Sequence, residues 1–182
     1  MNLLQKIKNR NPFLNVYKRA DLWRMELGYV GDSVQVFHKV SFGSEPYLIE
    51  IGSMTKITYG CKFITHDGGV YVLRNINKDA NGASVYGKIV VGRNCFLGND
   101  VTVLPGVRIG DNCIVGAGAV VTKSIPDNSV AAGVPCRVIS TIEEYYNNMK
   151  SSFIFTEKMT ACEKKEMLLQ LYNSQSHKFI CK

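Results

Sequence analysis

From Val91 to Val121 an aliphatic residue returns at every sixth position: Val91, Leu97, Val103, Ile109, Val115 and Val121. Glycine follows most of these rungs directly, at Gly92, Gly98, Gly110 and Gly116. Four positions after each rung stands a small or branched residue: Cys95, Val101, Val107, Cys113, Ala119 and Ile125. A step of six is no helical period, because one face of a helix recurs near every 3.6 residues. It fits a short strand and a turn, repeated. Three such units close a triangular coil, and successive coils stack as parallel strands ~4.8 Å apart. The chain is therefore expected to be mainly β, with the rungs as the inner wall of a parallel β-helix solenoid.

The interruptions of this ladder divide the chain. Residues 1–28 are basic and without repeat. The stretch from Asn15 to Leu27 reads as a short amphipathic helix with Val16, Leu22, Trp23 and Leu27 as its apolar residues and Gly28 ending it. The ladder occupies residues 29–140. It starts at Val30, with Val34 in the small position, and continues at Val36 and Phe42. It slips over Gly43–Tyr47 and resumes at Ile51, Ile57 and Phe63, with Thr55 and Cys61 in the small position. It then breaks at Thr65-His66-Asp67-Gly68-Gly69 and restarts only near Ile89–Val91. Residues 67–88 form an expected excursion loop, a place where solenoids commonly carry their binding face. Beyond Ile125-Pro126, the residues Gly133 and Pro135 mark a turn-rich exit. Within 141–182, Thr141 with Glu144 and Thr160 with Glu163 read as capping boxes of two helices, the second running to about Tyr172. The expected task of these helices is to cover the open end of the solenoid or to meet a neighbouring subunit.

The net charge of +7 predicts attraction to an anionic partner. No basic run with interleaved aromatics points to nucleic acid, and a phosphorylated small molecule fits the charge. Cys61, Cys95 and Cys113 take the small inward position, so they read as buried thiols rather than as parts of a disulfide framework. Cys136, Cys162 and Cys181 lack metal-ligand spacing. The N-terminal Lys6, Lys8 and Arg10 precede no apolar signal-peptide core, and no apolar run approaches the ~20 residues of a membrane span. The expected location is cytoplasmic.

Several blocks of this ladder resemble the hexapeptide-repeat acyltransferases. Val115-Gly-Ala-Gly-Ala-Val-Val-Thr-Lys123, then Ile125-Pro126, then Val130-Ala-Ala-Gly-Val-Pro-Cys-Arg-Val-Ile139 is similar to the coenzyme A end of galactoside, maltose and polysaccharide O-acetyltransferases. Leu104-Pro-Gly-Val-Arg-Ile-Gly110 is similar as well. The resemblance spans residues 30–140 and is most specific over 91–139. It implies a left-handed parallel β-helix; periodicity carries no handedness, and ordinary crossovers are right-handed in ~98% of cases. It also implies acetyl-CoA as co-substrate, no metal, and a homotrimer with each site in the cleft between two solenoids.

Moving an acetyl group from a thioester to a hydroxyl needs a base, an oxyanion donor and two substrates held together. Histidine is the natural base near neutral pH. Of His38, His66 and His177, His66 lies where the ladder breaks, the place the base takes in the resembled enzymes. An imidazole base needs an orienting carboxylate. Asp67 adjoins it in sequence, although neighbours on an extended segment face opposite ways. Glu45, from the slip at 43–47, is the other candidate. The resemblance further implies a substrate contact at His38 and an acceptor wall at Phe96, where the sugar enzymes often carry tryptophan. It implies coenzyme A contacts at Gly98, Asn99, Gly116, Ala117, Thr122, Lys123 and Arg137. Small residues let the pantetheine arm approach a coil edge as an added strand would, and Arg137 can fork onto phosphate oxygens.

The leading expectation is an acetyl-CoA-dependent O-acetyltransferase acting on a sugar hydroxyl in surface polysaccharide or glycoconjugate biosynthesis. An antibiotic acetyltransferase and an amino-sugar N-acetyltransferase share the fold. Serine acetyltransferase lacks support, since no Asp-His-Gly-Thr-Gly segment occurs. A zinc-dependent γ-carbonic anhydrase needs three histidine ligands, and the coil region holds two. A dinucleotide site at Gly116-Ala-Gly118 fails for want of a third glycine and a βαβ unit. A non-enzymatic scaffold would need neither a loop histidine nor a coenzyme A tail.

Overall fold

The computed structural model describes residue 11 and residues 13–179, with side chains through residue 173. The basic Lys6, Lys8 and Arg10, the side chain of His177, and Cys181 lie outside the described residues. The chain visits three sheets in turn. The first coil places β1 (Tyr29–Val30) in the first sheet, β2 (Gln35–Val36) in the second and the bridge residue Ser41 at the third. The second coil repeats this with β3 (Ile49–Ile51), β4 (Lys56–Ile57) and β5 (Lys62–Phe63). The third brings β6 (Ile89–Val91), β7 (Phe96–Leu97) and β8 (Thr102–Val103). The fourth brings β9 (Arg108–Ile109), β10 (Ile114–Val115) and β11 (Val120–Val121). Every pairing among these strands is parallel.

Register follows the ladder. Val91 pairs with Ile109, Leu97 with Val115, and Val103 with Val121. The stack survives both interruptions, since Val36 pairs with Ile57 across the slip and Ile57 with Leu97 across the excursion. All six rungs from Val91 to Val121 are buried, as are Cys95, Val101, Val107, Cys113, Ala119 and Ile125 in the small position. A further six-residue register appears at the turns: Asn94, Asp100, Gly106, Asn112 and Gly118 all take positive φ. Glycine, asparagine and aspartate tolerate that left-handed conformation best. The thiols behave as small hydrophobes; burial pushes the Cys61 thiol up to about 11, and its Sγ meets the Gly98 carbonyl at 3.3 Å.

At the first coil, α1 (Val16–Trp23) starts at Asn15, whose side chain accepts the Tyr17 N–H at 2.9 Å. The helix stops at Trp23, and the chain reaches buried Leu27 through turns rather than the expected continuous helix. The Trp23 ring packs edge-on against Phe42 at 4.8 Å, and Phe42 stacks on Phe63 at 5.0 Å. Arg19 is 1% exposed and donates to the carbonyl of Val36, at the edge of the second sheet, at 3.0 Å. Arg24 donates to the carbonyl of Gly31 at 3.0 Å. Two cations of the basic N-terminal segment thus satisfy backbone acceptors of the first coil, which would otherwise be an open parallel edge.

The expected turns are present at 127–128 and 133–136, and two strands that the sequence reading lacked lie beside them. β12 (Ser129–Ala132) extends the second sheet as another parallel strand, and β13 (Arg137–Thr141) folds back antiparallel on it. Between them, Gly133 and Cys136 bond Val120 of the third sheet, at 3.1 and 2.8 Å. This hairpin pairs the last parallel edge of the second sheet. Both capping boxes form. Glu144 accepts the Thr141 N–H at 2.9 Å ahead of α3 (Ile142–Met149), and Glu163 accepts the Thr160 N–H at 2.7 Å ahead of α4 (Ala161–Phe179). α4 runs past Tyr172 to Phe179. The chain divides into two compact units, one through Tyr146 and one from Asn147 onward. Among the described residues no helix is long and apolar enough to cross a membrane.

Candidate active site

The stacked coils have three corners, and chemistry-bearing residues gather at the one between the third and first sheets. In the first coil this corner is the slip, with Ser44 and Glu45 ahead of a 3-10 turn at Pro46–Leu48. In the second coil it is the excursion. Thr65 points inward and is 1% exposed, while the adjacent His66 points outward with its side chain 46% exposed. That opposition is the alternation of an extended segment.

The excursion is a closed lobe with a pinned neck. His66 and Tyr86 form an antiparallel bridge. Asp67 N–H donates to the Val85 carbonyl, and Gly87 N–H to the Thr65 carbonyl, each at 2.9 Å. Within the excursion, read from sequence as loop, residues 70–76 form α2 (Val70–Ile76), which buries Val70 and leaves Tyr71, Val72, Leu73 and Ile76 exposed.

Arg74 of α2 donates to the hydroxyl of Ser84 at 2.9 Å and so ties the helix to the returning segment. A cleft of about 270 Å³ opens beside the neck, lined by Glu45, His66, Asp67, Tyr71, Arg74 and Tyr86 among others.

Glu45, and not Asp67, meets the imidazole. His66 Nδ1 lies 3.0 Å from Glu45 Oε2, and the same oxygen accepts the Thr65 hydroxyl at 2.6 Å. Asp67 lines the cleft, but its Oδ1 accepts the Gly69 N–H at 2.8 Å and shapes the turn into α2. The Thr65 hydroxyl and then the His66 ring hold the Glu45 carboxyl below the usual carboxylate range. An ionised Glu45 only accepts, so it assigns the proton of a neutral His66 to Nδ1 and leaves the lone pair on Nε2. Ser44 Oγ stands 3.3 Å from Nδ1, on the wrong nitrogen to be activated as a nucleophile by that lone pair.

Thr122 and Lys123 are exposed at the same corner, two coils along, because Val121 stacks on Val103 and Val103 on Phe63. Gly98, Asn99, Gly116 and Ala117 lie instead at the corner between the second and third sheets. His38 shares that corner and meets the Tyr59 ring edge-on at 4.9 Å. Phe96 stands on the outer face of β7, 41% exposed, and Arg137 opens β13 with Nη1 donating to the Cys136 carbonyl at 2.8 Å. One chain therefore does not gather all the expected site residues. Gly98 has a structural cause of its own: a Cβ there would stand 2.5 Å from the Ala117 nitrogen of the next coil. Among the described residues no cluster of three His, Cys, Asp or Glu side chains could hold a metal ion.

Residues 88–123 match the family described as bacterial transferase hexapeptide (six repeats). Protein CapG of Staphylococcus aureus is 42% identical over 137 residues, which cover 75% of this chain and 78% of CapG. The chain belongs to the hexapeptide-repeat acyltransferases. The galactoside O-acetyltransferase of Escherichia coli (strain K12) is 53% identical over 160 residues, covering 78% of this chain and 77% of that enzyme. A solved galactoside acetyltransferase in complex with coenzyme A shares 31% identity and a TM-score of 0.55, over 79% of this chain and 80% of that one. Within this family frame, sequence reasoning missed Ser44 and Thr65 beside the pair, and Tyr71, Arg74 and Tyr86 in the cleft. The first two carried a signal, since each adjoins a residue already singled out. The other three carried none, because the excursion has no period.

Proposed function

We propose that the chain transfers an acetyl group from acetyl-CoA to a sugar hydroxyl, with His66 as general base and Glu45 as its orienting carboxylate. The observation that carries this reading is the His66–Glu45 pair at the mouth of the pinned lobe, 3.0 Å apart with Nε2 left free. The acceptor oxygen attacks the thioester carbonyl carbon as Nε2 takes its proton. The tetrahedral intermediate collapses, the carbon–sulfur bond breaks, and the coenzyme A thiolate takes the proton from Nε2. No covalent enzyme intermediate is needed. The names of the E. coli relative and of the solved complex support both the donor and the sugar acceptor. Surface polysaccharide or glycoconjugate assembly is the setting this chemistry suits.

The active form in this reading is a homotrimer of left-handed solenoids. Thr122 and Lys123 occupy one corner, and Gly98, Asn99 and Ala117 the other, at opposite edges of the third sheet. A site using both corners needs two chains, and a closed ring of head-to-tail contacts supplies three such sites. The net charge of +7 favours the multiply anionic end of coenzyme A.

Thiol release from acetyl-CoA, followed across sugars, amino sugars and antibiotics, tests the reading. Turnover with sugars that lack an amino group supports it. Turnover confined to amino sugars or antibiotics assigns the chain to those acceptors, and no coenzyme A binding by calorimetry overturns the enzyme reading. Lys123→Ala is expected to raise the KM for acetyl-CoA roughly tenfold, the scale of one lost contact to a charged group. The KM for acceptor is expected to stay put; an equal rise in both would count against a phosphate-side role.

A further inference from the structure

We infer that Thr65 is a positioning residue for the base: its buried hydroxyl anchors the Glu45 carboxylate that in turn orients His66. This rests on the reading of His66 as base. Thr65 and His66 are neighbours that face opposite ways, one into the solenoid and one into the cleft. Glu45 arrives from the preceding coil and joins them through a single oxygen, 2.6 Å from Thr65 Oγ1 and 3.0 Å from His66 Nδ1.

The burial makes this arrangement mutual. Thr65 is 1% exposed, so water does not replace a lost partner for its hydroxyl, and a buried unsatisfied polar group is costly. The Thr65 carbonyl also holds the neck of the lobe, accepting the Gly87 N–H at 2.9 Å. The hydroxyl and the carbonyl of this one residue thus both fix the surroundings of the imidazole. Other groups facing the pair are Ser44 from the slip, Asp67 at the neck, Tyr71 and Arg74 from α2, and Tyr86 from the returning segment.

The Thr65 hydroxyl is the largest influence holding the Glu45 carboxyl down. Without it the carboxylate is more basic and draws the Nδ1 proton harder. That stabilises the imidazolium, so a higher pH is needed to free Nε2. Thr65→Val keeps the shape and removes the hydroxyl. In the full-length protein its acid limb of kcat is expected to move up by about one pH unit, the scale of one hydrogen bond to a charged group. The KM for acetyl-CoA is expected to stay unchanged, and Thr65→Ser to restore the limb. Thr65→Ala serves if the valine variant does not fold. Nitrogen-15 NMR of the imidazole supplies a readout independent of turnover, with the Nδ1 signal shifted in the valine variant as its proton is drawn closer to Glu45. An unmoved acid limb and an unchanged imidazole spectrum would overturn the inference, whatever happened to stability. Failure of the base reading would show separately, as full activity in His66→Ala.

Discussion

His66→Ala is expected to lower kcat by roughly 10²–10⁴-fold, the usual contribution of a positioned general base. The argument is geometric. Glu45 accepts the Nδ1–H hydrogen bond at 3.0 Å, so the lone pair lies on Nε2, and the cleft beside it is lined by the excursion lobe. Alanine removes that lone pair without disturbing the neck, because the bridge between His66 and Tyr86 is made by backbone. Calorimetry is expected to show unchanged affinity for coenzyme A, and the melting temperature to hold. Retained turnover would remove His66 from the chemistry. Lost affinity together with lost turnover would mean that the ring holds substrate rather than a proton.

Leu97→Ala is expected to destabilise the solenoid by about 2–5 kcal/mol, the range for truncating a buried leucine. Leu97 is fully buried, stacked between Ile57 of the coil before and Val115 of the coil after. A cavity there has no flexible neighbour to fill it, since the rungs on both sides are held by parallel strand pairing. The adjacent Phe96 is 41% exposed on the outer face. Phe96→Ala is expected to cost about 1 kcal/mol or less, in line with surface substitutions. Urea unfolding of the two variants measures the contrast. Equal midpoints would mean that the inner wall does not carry the stability of the coil.

The inward positions were legible because a period is a local property. Each rung and each small residue can be placed by counting six, and the hydrogen-bonded register repeats that count from Val91 to Val121. The turn positions carried a signal of the same kind in Asn94, Asp100, Gly106, Asn112 and Gly118. The ends were less legible. The hairpin of β12 and β13 follows Pro126, where the six-residue count has already failed, and its pairing joins residues by a reversal of direction that no repeat encodes.

The candidate site shows the same division. The break in the ladder marks His66 as exceptional, and alternation along an extended segment disfavours Asp67 as its partner. Choosing Glu45 takes the fold, because the slip that delivers it has no period and the two residues stand 21 apart. The sequence by itself determined the coil, its inner wall and the place where the coil is interrupted, since each follows from a repeating local pattern. Only the tertiary structure decided which carboxylate meets the imidazole, that the excursion is a pinned lobe, and that the expected cofactor contacts other than Arg137 fall at two corners. Those depend on how irregular segments of different length are brought together by the coils beneath them.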